Sequence, residues 1–154
     1  MNHENTAQDE SGLDAAQTAT IQIACMALVA RYCHCADLRL HKEFSELFAP
    51  EGEWIRPGMH MKSRDDILRF MDARSPKAMT RHVCGSIHIE VVDADHARGF
   101  SYTTVYREPD YKGPDISPRV VPEMVVDYRD DYVRIDGRWH FGKRHTTVVF
   151  SDKA

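Results

Sequence analysis

The stretch that most limits how this chain can fold is residues 81–107, RHVCGSIHIEVVDADHARGFSYTTVYR. Val83, Ile87, Ile89 and Val91 alternate with Cys84, Ser86, His88 and Glu90. A period of two predicts a strand with unlike faces. Residues 92–96, VDADH, supply a polar break, and residues 97–107 resume the pattern with Phe100, Tyr102, Thr104 and Tyr106 on one parity. Two such runs around a short turn predict a β-hairpin. His82 stands at its head, entering the sheet from a polar edge.

The rest of the chain supplies what such a sheet needs to be covered. Residues 13–36 hold no glycine or proline, and Ile21, Ala24, Cys25, Leu28, Val29 and Tyr32 recur at three and four, which predicts one long amphipathic helix. It ends at Asp37. A second helix is expected over 41–49, with Phe44, Leu47 and Phe48 on one side and the Pro50-Glu51-Gly52 sequence as its stop. A short strand at 53–55 around Trp54 pairs back with 59–61 across the Pro57-Gly58 turn. Ser63, with Asp66 three residues later, reads as the N-cap of a third helix ending near Ala73. Residues 108–122 contain four of the seven prolines and are expected to be a long loop, of the kind that often lines a site. Residues 121–135 and 139–150 read as the last two strands, joined by the strong two-residue hairpin signal Asp136-Gly137. Helices gathered early and antiparallel strands late predict an α+β domain. The expected organisation is one domain over 13–150 with short tails at 1–12 and 151–154. A sheet curled around a cavity needs bulges or glycine kinks, for which Gly85, Gly99 and Gly142 are available.

Length and charge exclude several classes. A chain of 154 residues suffices for one core without staples. A net charge of −4 gives no pull towards nucleic acid or an anionic membrane surface. No unbroken run of 18 apolar residues is present, so no bilayer span is expected. The first residues lack a basic stretch followed by an apolar one, so a secretory leader is not expected. The four cysteines then read as free thiols in a reducing, cytoplasmic setting. Cys33, His34 and Cys35 are too close together for a zinc knuckle, and no glycine-rich phosphate loop follows a strand. Neither a metal nor an organic cofactor is expected.

The order of elements resembles the SnoaL-like branch of the NTF2-like α+β cones. The residues that carry the resemblance are Tyr32-Cys-His-Cys-Ala-Asp37, then Phe44 through Leu47-Phe48-Ala49-Pro50-Glu51-Gly52-Glu53-Trp54, the Arg81-His82 pair, and Tyr132-Val-Arg-Ile-Asp-Gly-Arg-Trp-His-Phe-Gly-Lys-Arg144. The resemblance spans about residues 14–150 and implies a strongly curved, mostly antiparallel sheet with three helices enclosing a pocket. Within that superfamily the site pattern is similar to that of the bile-acid dehydratase, scytalone dehydratase and hexachlorocyclohexane dehydrochlorinase group.

That similarity implies a cofactor-independent lyase in which His82 is the base and Asp37 its partner, on a small hydrophobic, steroid-like or aromatic substrate. Tyr32 corresponds to the bile-acid enzyme's active-site tyrosine, and Arg144 to the dehydrochlorinase's late arginine. Trp54, Met59, Ser86 and Tyr102 are the expected substrate contacts. A homotrimer is expected, with a dimer as the alternative.

Bland readings compete at each position. His82 fits a strand edge, Asp37 a helix exit, Tyr32 a core margin and Arg144 an ordinary strand charge. A ketosteroid-type isomerase using the same proton abstraction remains open. So does a non-catalytic role, as the small subunit of an aromatic-ring dioxygenase or as a ligand-binding protein. Fold alone does not choose among them.

Overall fold

The computed structural model describes residues 12–151. The tails expected at 1–12 and 151–154 lie outside the described residues, except Gly12 and Ser151, and Ser151 is the last residue of a strand. The order is α1 (Ala15–Asp37), α2 (His41–Glu46), β1 (Phe48–Arg56), β2 (Met59–Met61), α3 (Arg64–Asp72), β3 (Met79–Val91), β4 (His96–Glu108), β5 (Met124–Ile135) and β6 (Arg138–Ser151). The six strands form one sheet in the order β2-β1-β6-β5-β4-β3. Only β1 and β6 run parallel, and every other neighbouring pair is antiparallel. The sheet is curled but not closed, with three helices against it.

Helix α1 begins with a capping box. Asp14 accepts from the Gln17 backbone N–H, and the Gln17 side chain accepts from the Asp14 N–H. Its buried stripe is Ile21, Cys25, Leu28, Val29, Tyr32 and Cys33. Gln22 Nε2 also donates to the Ile89 carbonyl of β3, 3.2 Å away. By length and by a mean hydropathy of 1.2, α1 qualifies as long and apolar enough to cross a membrane, a measure that a count of unbroken apolar residues misses. Here its apolar stripe is packed in the core. The helix stops where Arg39 takes a φ of 60°, with the Leu40 N–H donating to the Cys35 carbonyl. Asp37 is therefore left on the last turn.

Three expected boundaries move, the first being β1, which runs over Phe48–Arg56 rather than 53–55 and takes in the Pro50-Glu51-Gly52 sequence. Helix α2 ends at Glu46 rather than 49, because Phe48 pairs with Phe141 in the parallel β1–β6 ladder. The Phe141 N–H also donates to the Leu47 carbonyl at 2.9 Å. Strand β5 begins at Met124 rather than 121. Phe44, Phe48, Ile67, Met71 and Phe141 are buried together in the core. Each such side chain contributes about 1.5–3 kcal/mol relative to exposure.

The larger correction concerns which faces of the hairpin look inward. In β4 the inward parity is Ala97, Ser101, Thr103 and Val105, so the Phe100, Tyr102, Thr104 and Tyr106 parity lies on the other face. In β3 there is no single parity. Three residues of β3 span the register from Gly85 to His88 while β4 advances only from Tyr102 to Phe100, so β3 carries one extra residue. Ser86 absorbs it at a φ of 49°. Such a bulge exchanges the two faces of a strand. Thr80, His82 and Cys84 face inward before it, and Ile87, Ile89 and Val91 after it, while Val83 is 60% exposed. A second extra residue, Gly142 in β6, puts Phe141 and Arg144 on the same side. Gly99 serves differently: a Cβ there would meet the Tyr132 ring at 2.7 Å.

Candidate active site

Asp37 and His82 meet because the end of α1 lies against the start of β3. Asp37 Oδ1 is 2.5 Å from His82 Nδ1, and Oδ2 accepts the His82 backbone N–H at 2.9 Å. Thr80 Oγ1 donates to Oδ1 at 3.0 Å. Burial pushes the Asp37 carboxyl up, but the His82 side chain, its backbone N–H and the Thr80 hydroxyl outweigh that and hold it below the ordinary carboxylate value. An ionised carboxylate only accepts, so the proton between them sits on Nδ1. In the neutral imidazole this tautomer leaves the lone pair on Nε2, the atom a general base uses.

Tyr32, on α1, stacks edge-on against both Trp54 and His82, with ring centroids 5.9 and 6.5 Å apart. Burial raises the Tyr32 pKa, and Arg144 and a hydrogen bond with Tyr128 only partly counter this, so the phenol keeps its proton. Tyr128, on the inward parity of β5, is raised well above its usual value, again by burial first. Sequence reasoning missed Tyr128. Its signal was the alternation Val126, Tyr128, Asp130, Tyr132, obscured by the charges between them.

Arg144 is inward but does not line the cavity. Its side chain is fully buried, and Nε and Nη2 donate to the two carboxylate oxygens of Asp130, each at 2.7 Å. Its Cζ lies 4.1 Å from the ring centroids of Tyr32, Tyr128 and Phe141. Burial would lower its pKa, yet Asp130 raises it well above the ordinary value. Among the described residues Nη1 has no hydrogen-bond partner. Arg144 thus lies beneath the rings of Tyr32 and Tyr128 and outside the cavity wall.

The cavity beside His82 has a volume of about 370 Å³. Its apolar walls include Phe44, Trp54, Phe70, Met71, Val105 and Val126. Trp54 is fixed by donation from Nε1 to Thr146 Oγ1 at 3.0 Å. Tyr32, Tyr128, Thr80 and His82 supply polar atoms, while Arg56, Arg74, Arg107 and Glu123 add charge. Arg107 and Glu123 flank the 108–122 loop and pair at 3.6 Å, so the loop's two roots, rather than its middle, border the cavity.

Met59, Ser86 and Tyr102 are not in the cavity wall. Met59 is 42% exposed in β2, Ser86 is exposed at the bulge, and Tyr102 is 48% exposed on the outer face. Cys33 and Cys35 are buried while His34 between them is exposed, so helix geometry separates the three. Among the described residues no group of three potential metal ligands converges.

The fold has counterparts among solved structures. Comparison with curated proteins found no match. A candidate scytalone dehydratase from Novosphingobium aromaticivorans is similar at 18% identity and a TM-score of 0.76, over 92% of each chain. A type-3 hexachlorocyclohexane dehydrochlorinase from Novosphingobium barchaimii is similar at 16% identity and a TM-score of 0.72, over 90% of this chain and 92% of that one. A Mycobacterium tuberculosis protein of unknown function is similar at 20% identity and a TM-score of 0.73, over 91% of this chain and 79% of that one. At these identities the likeness is one of fold, the NTF2-like cone. The SnoaL-like domain matches residues 17–145, most of the chain, and the protein belongs to that family.

Proposed function

We propose that the protein is a cofactor-independent lyase that performs a dehydratase-type elimination on a small hydrophobic, steroid-like or aromatic molecule. The observation that carries this reading is the His82–Asp37 couple at the wall of a largely apolar cavity, 2.5 Å between Nδ1 and Oδ1. Nε2 takes a proton from a carbon next to an activating group. The C–H electron pair becomes the new double bond, and the leaving hydroxyl departs with the pair it shared with the substrate. Asp37 stabilises the imidazolium formed in that step. Tyr32, which keeps its proton, is the donor to the departing oxygen, with Tyr128 as its hydrogen-bonded neighbour. The apolar walls beside His82 lower the local dielectric and so strengthen these interactions. We also propose that the working form is a homotrimer.

The test is turnover by His82→Ala and Asp37→Asn once circular dichroism has established that both are folded. Loss of the base is expected to lower kcat by roughly 10²–10⁴-fold. Asp37→Asn is expected to cost orders of magnitude with a smaller change in KM. A folded variant of either kind that works at the parent rate would refute the couple as the catalytic base.

A further inference from the structure

Three guanidinium groups, those of Arg56, Arg74 and Arg107, border the same cavity as His82. Two are engaged within the protein. Arg74 donates to the Ala36 carbonyl at 3.1 Å and to Thr80 Oγ1 at 3.4 Å, and Arg107 pairs with Glu123. Arg56 is different. It sits on the inward parity of β1, two residues after Trp54. Its Cζ is 5.2 Å from the Trp54 ring centroid and 5.1 Å from that of Phe70. Among the described residues its guanidinium makes no hydrogen bond and no ion pair. The nearest carboxylate along β1, Glu53, lies on the opposite parity and is taken by His60 and Lys143.

Aromatic rings hold a guanidinium by its face and leave its N–H edge free. That edge is a planar fork whose matching partner is a carboxylate, bound through two parallel hydrogen bonds. The local balance is also cationic. Arg56, Arg74 and Arg107 face the single carboxylate of Glu123 in the cavity lining, and burial first, then Arg39 and Arg107, lower the Arg74 pKa against the opposing pull of Tyr32 and Asp37. The charge of Arg56 likewise reaches the Tyr32 phenol. A chain of net charge −4 has no general attraction for anions, so this preference is confined to the cavity.

We propose that Arg56 is the specificity-determining anchor for a substrate that carries a carboxylate on its apolar ring body, with the carboxylate on the Arg56 fork and the body between Trp54, Phe70 and His82. The inference rests on the proposed function only in taking this cavity as the ligand site, and its test reads binding rather than turnover.

Calorimetric titration with 2-naphthoate and with its neutral isostere 2-naphthamide separates the charge from the ring. The parent is expected to bind the carboxylate roughly ten-fold or more tightly than the amide, the worth of a charge-assisted bidentate contact. Arg56→Met, which keeps the stem over the rings, is expected to abolish that preference and leave amide affinity within about two-fold. Arg56→Gln serves as a second neutral variant, and circular dichroism establishes that each is folded. His82→Ala is expected to retain the preference, because the base is not the anchor. Equal affinities in the parent, failure of the parent to bind naphthoate at millimolar concentration, or a preference that survives in a folded neutral variant overturns the proposal. If His82→Ala turns over at the parent rate while Arg56 still selects the carboxylate, the anchor stands and the lyase reading falls.

Discussion

Asp37 gives the site a pH dependence of definite sign. Its carboxyl is held below the ordinary value in the fold, whereas in the unfolded chain it titrates near about 3.9. The folded state therefore binds fewer protons than the unfolded state through that interval. The stabilisation is complete above the unfolded value and is lost as pH falls through the folded one. The difference in urea midpoint between the parent and Asp37→Asn should shrink as pH falls below about 4. A difference that grows towards acid would contradict the assigned direction. Arg144 shows the same physics with another outcome. A buried guanidinium is tolerable only because Asp130 takes two of its donors, and removing one partner of such a pair typically costs about 3–5 kcal/mol. The arginine therefore belongs with stability.

Strand β3 is the element on which the site turns. One extra residue between Gly85 and His88 lets His82 and Ile89 share a face although their numbers differ by an odd count. The upper half of the strand buries apolar side chains under α1, and the lower half presents Thr80 and His82 to Asp37. A deletion of Ser86 would restore simple alternation and force one half outward. It is expected to abolish turnover or to unfold the protein, with loss of one or the other seen by assay and thermal melting. Ser86→Gly is the matched control. It relieves a left-handed conformation that costs a non-glycine residue roughly 1–2 kcal/mol, partly offset by the entropy of glycine. Stability should hold or rise by up to about 1 kcal/mol with turnover retained. A Ser86 deletion that stays folded and active would remove the bulge from the account of the site.

At the scale of the molecule, the sheet faces two ways. Its inner side carries α1, the core and the cavity, and its outer side carries Phe100 and Tyr102 in an edge-to-face pair and Arg129 over the Phe100 ring at 5.3 Å. Val148, Val149 and Phe150 near the end of β6 are also exposed. We propose that the trimer is built through this outer side. Light scattering at micromolar concentration should report three times the 17.7 kDa chain mass, and a monomer mass would end the proposal.

Much of this was legible from one dimension. The stripe of α1, the Ser63 cap, the Asp136-Gly137 turn and the period-two runs are local patterns, and local backbone preference and burial set them. The Asp136 and Gly137 φ values of 49° and 77° are what that dipeptide favours. His82 and Asp37 were visible as residue types at an element's start and another's end. What no local pattern holds is register. The parity of Tyr102, the inward turn of His82 past Ser86 and the shortening of α2 at Glu46 follow from which strand each one pairs with. The fate of Arg144 is the same case. Its charge was plain in the chain, but only the β5–β6 pairing sets Asp130 directly across from it. Composition and periodicity determine which elements form and which face of each is apolar. Long-range pairing decides which polar side chains are brought inward together, because a single inserted residue exchanges the faces of a strand without changing its composition.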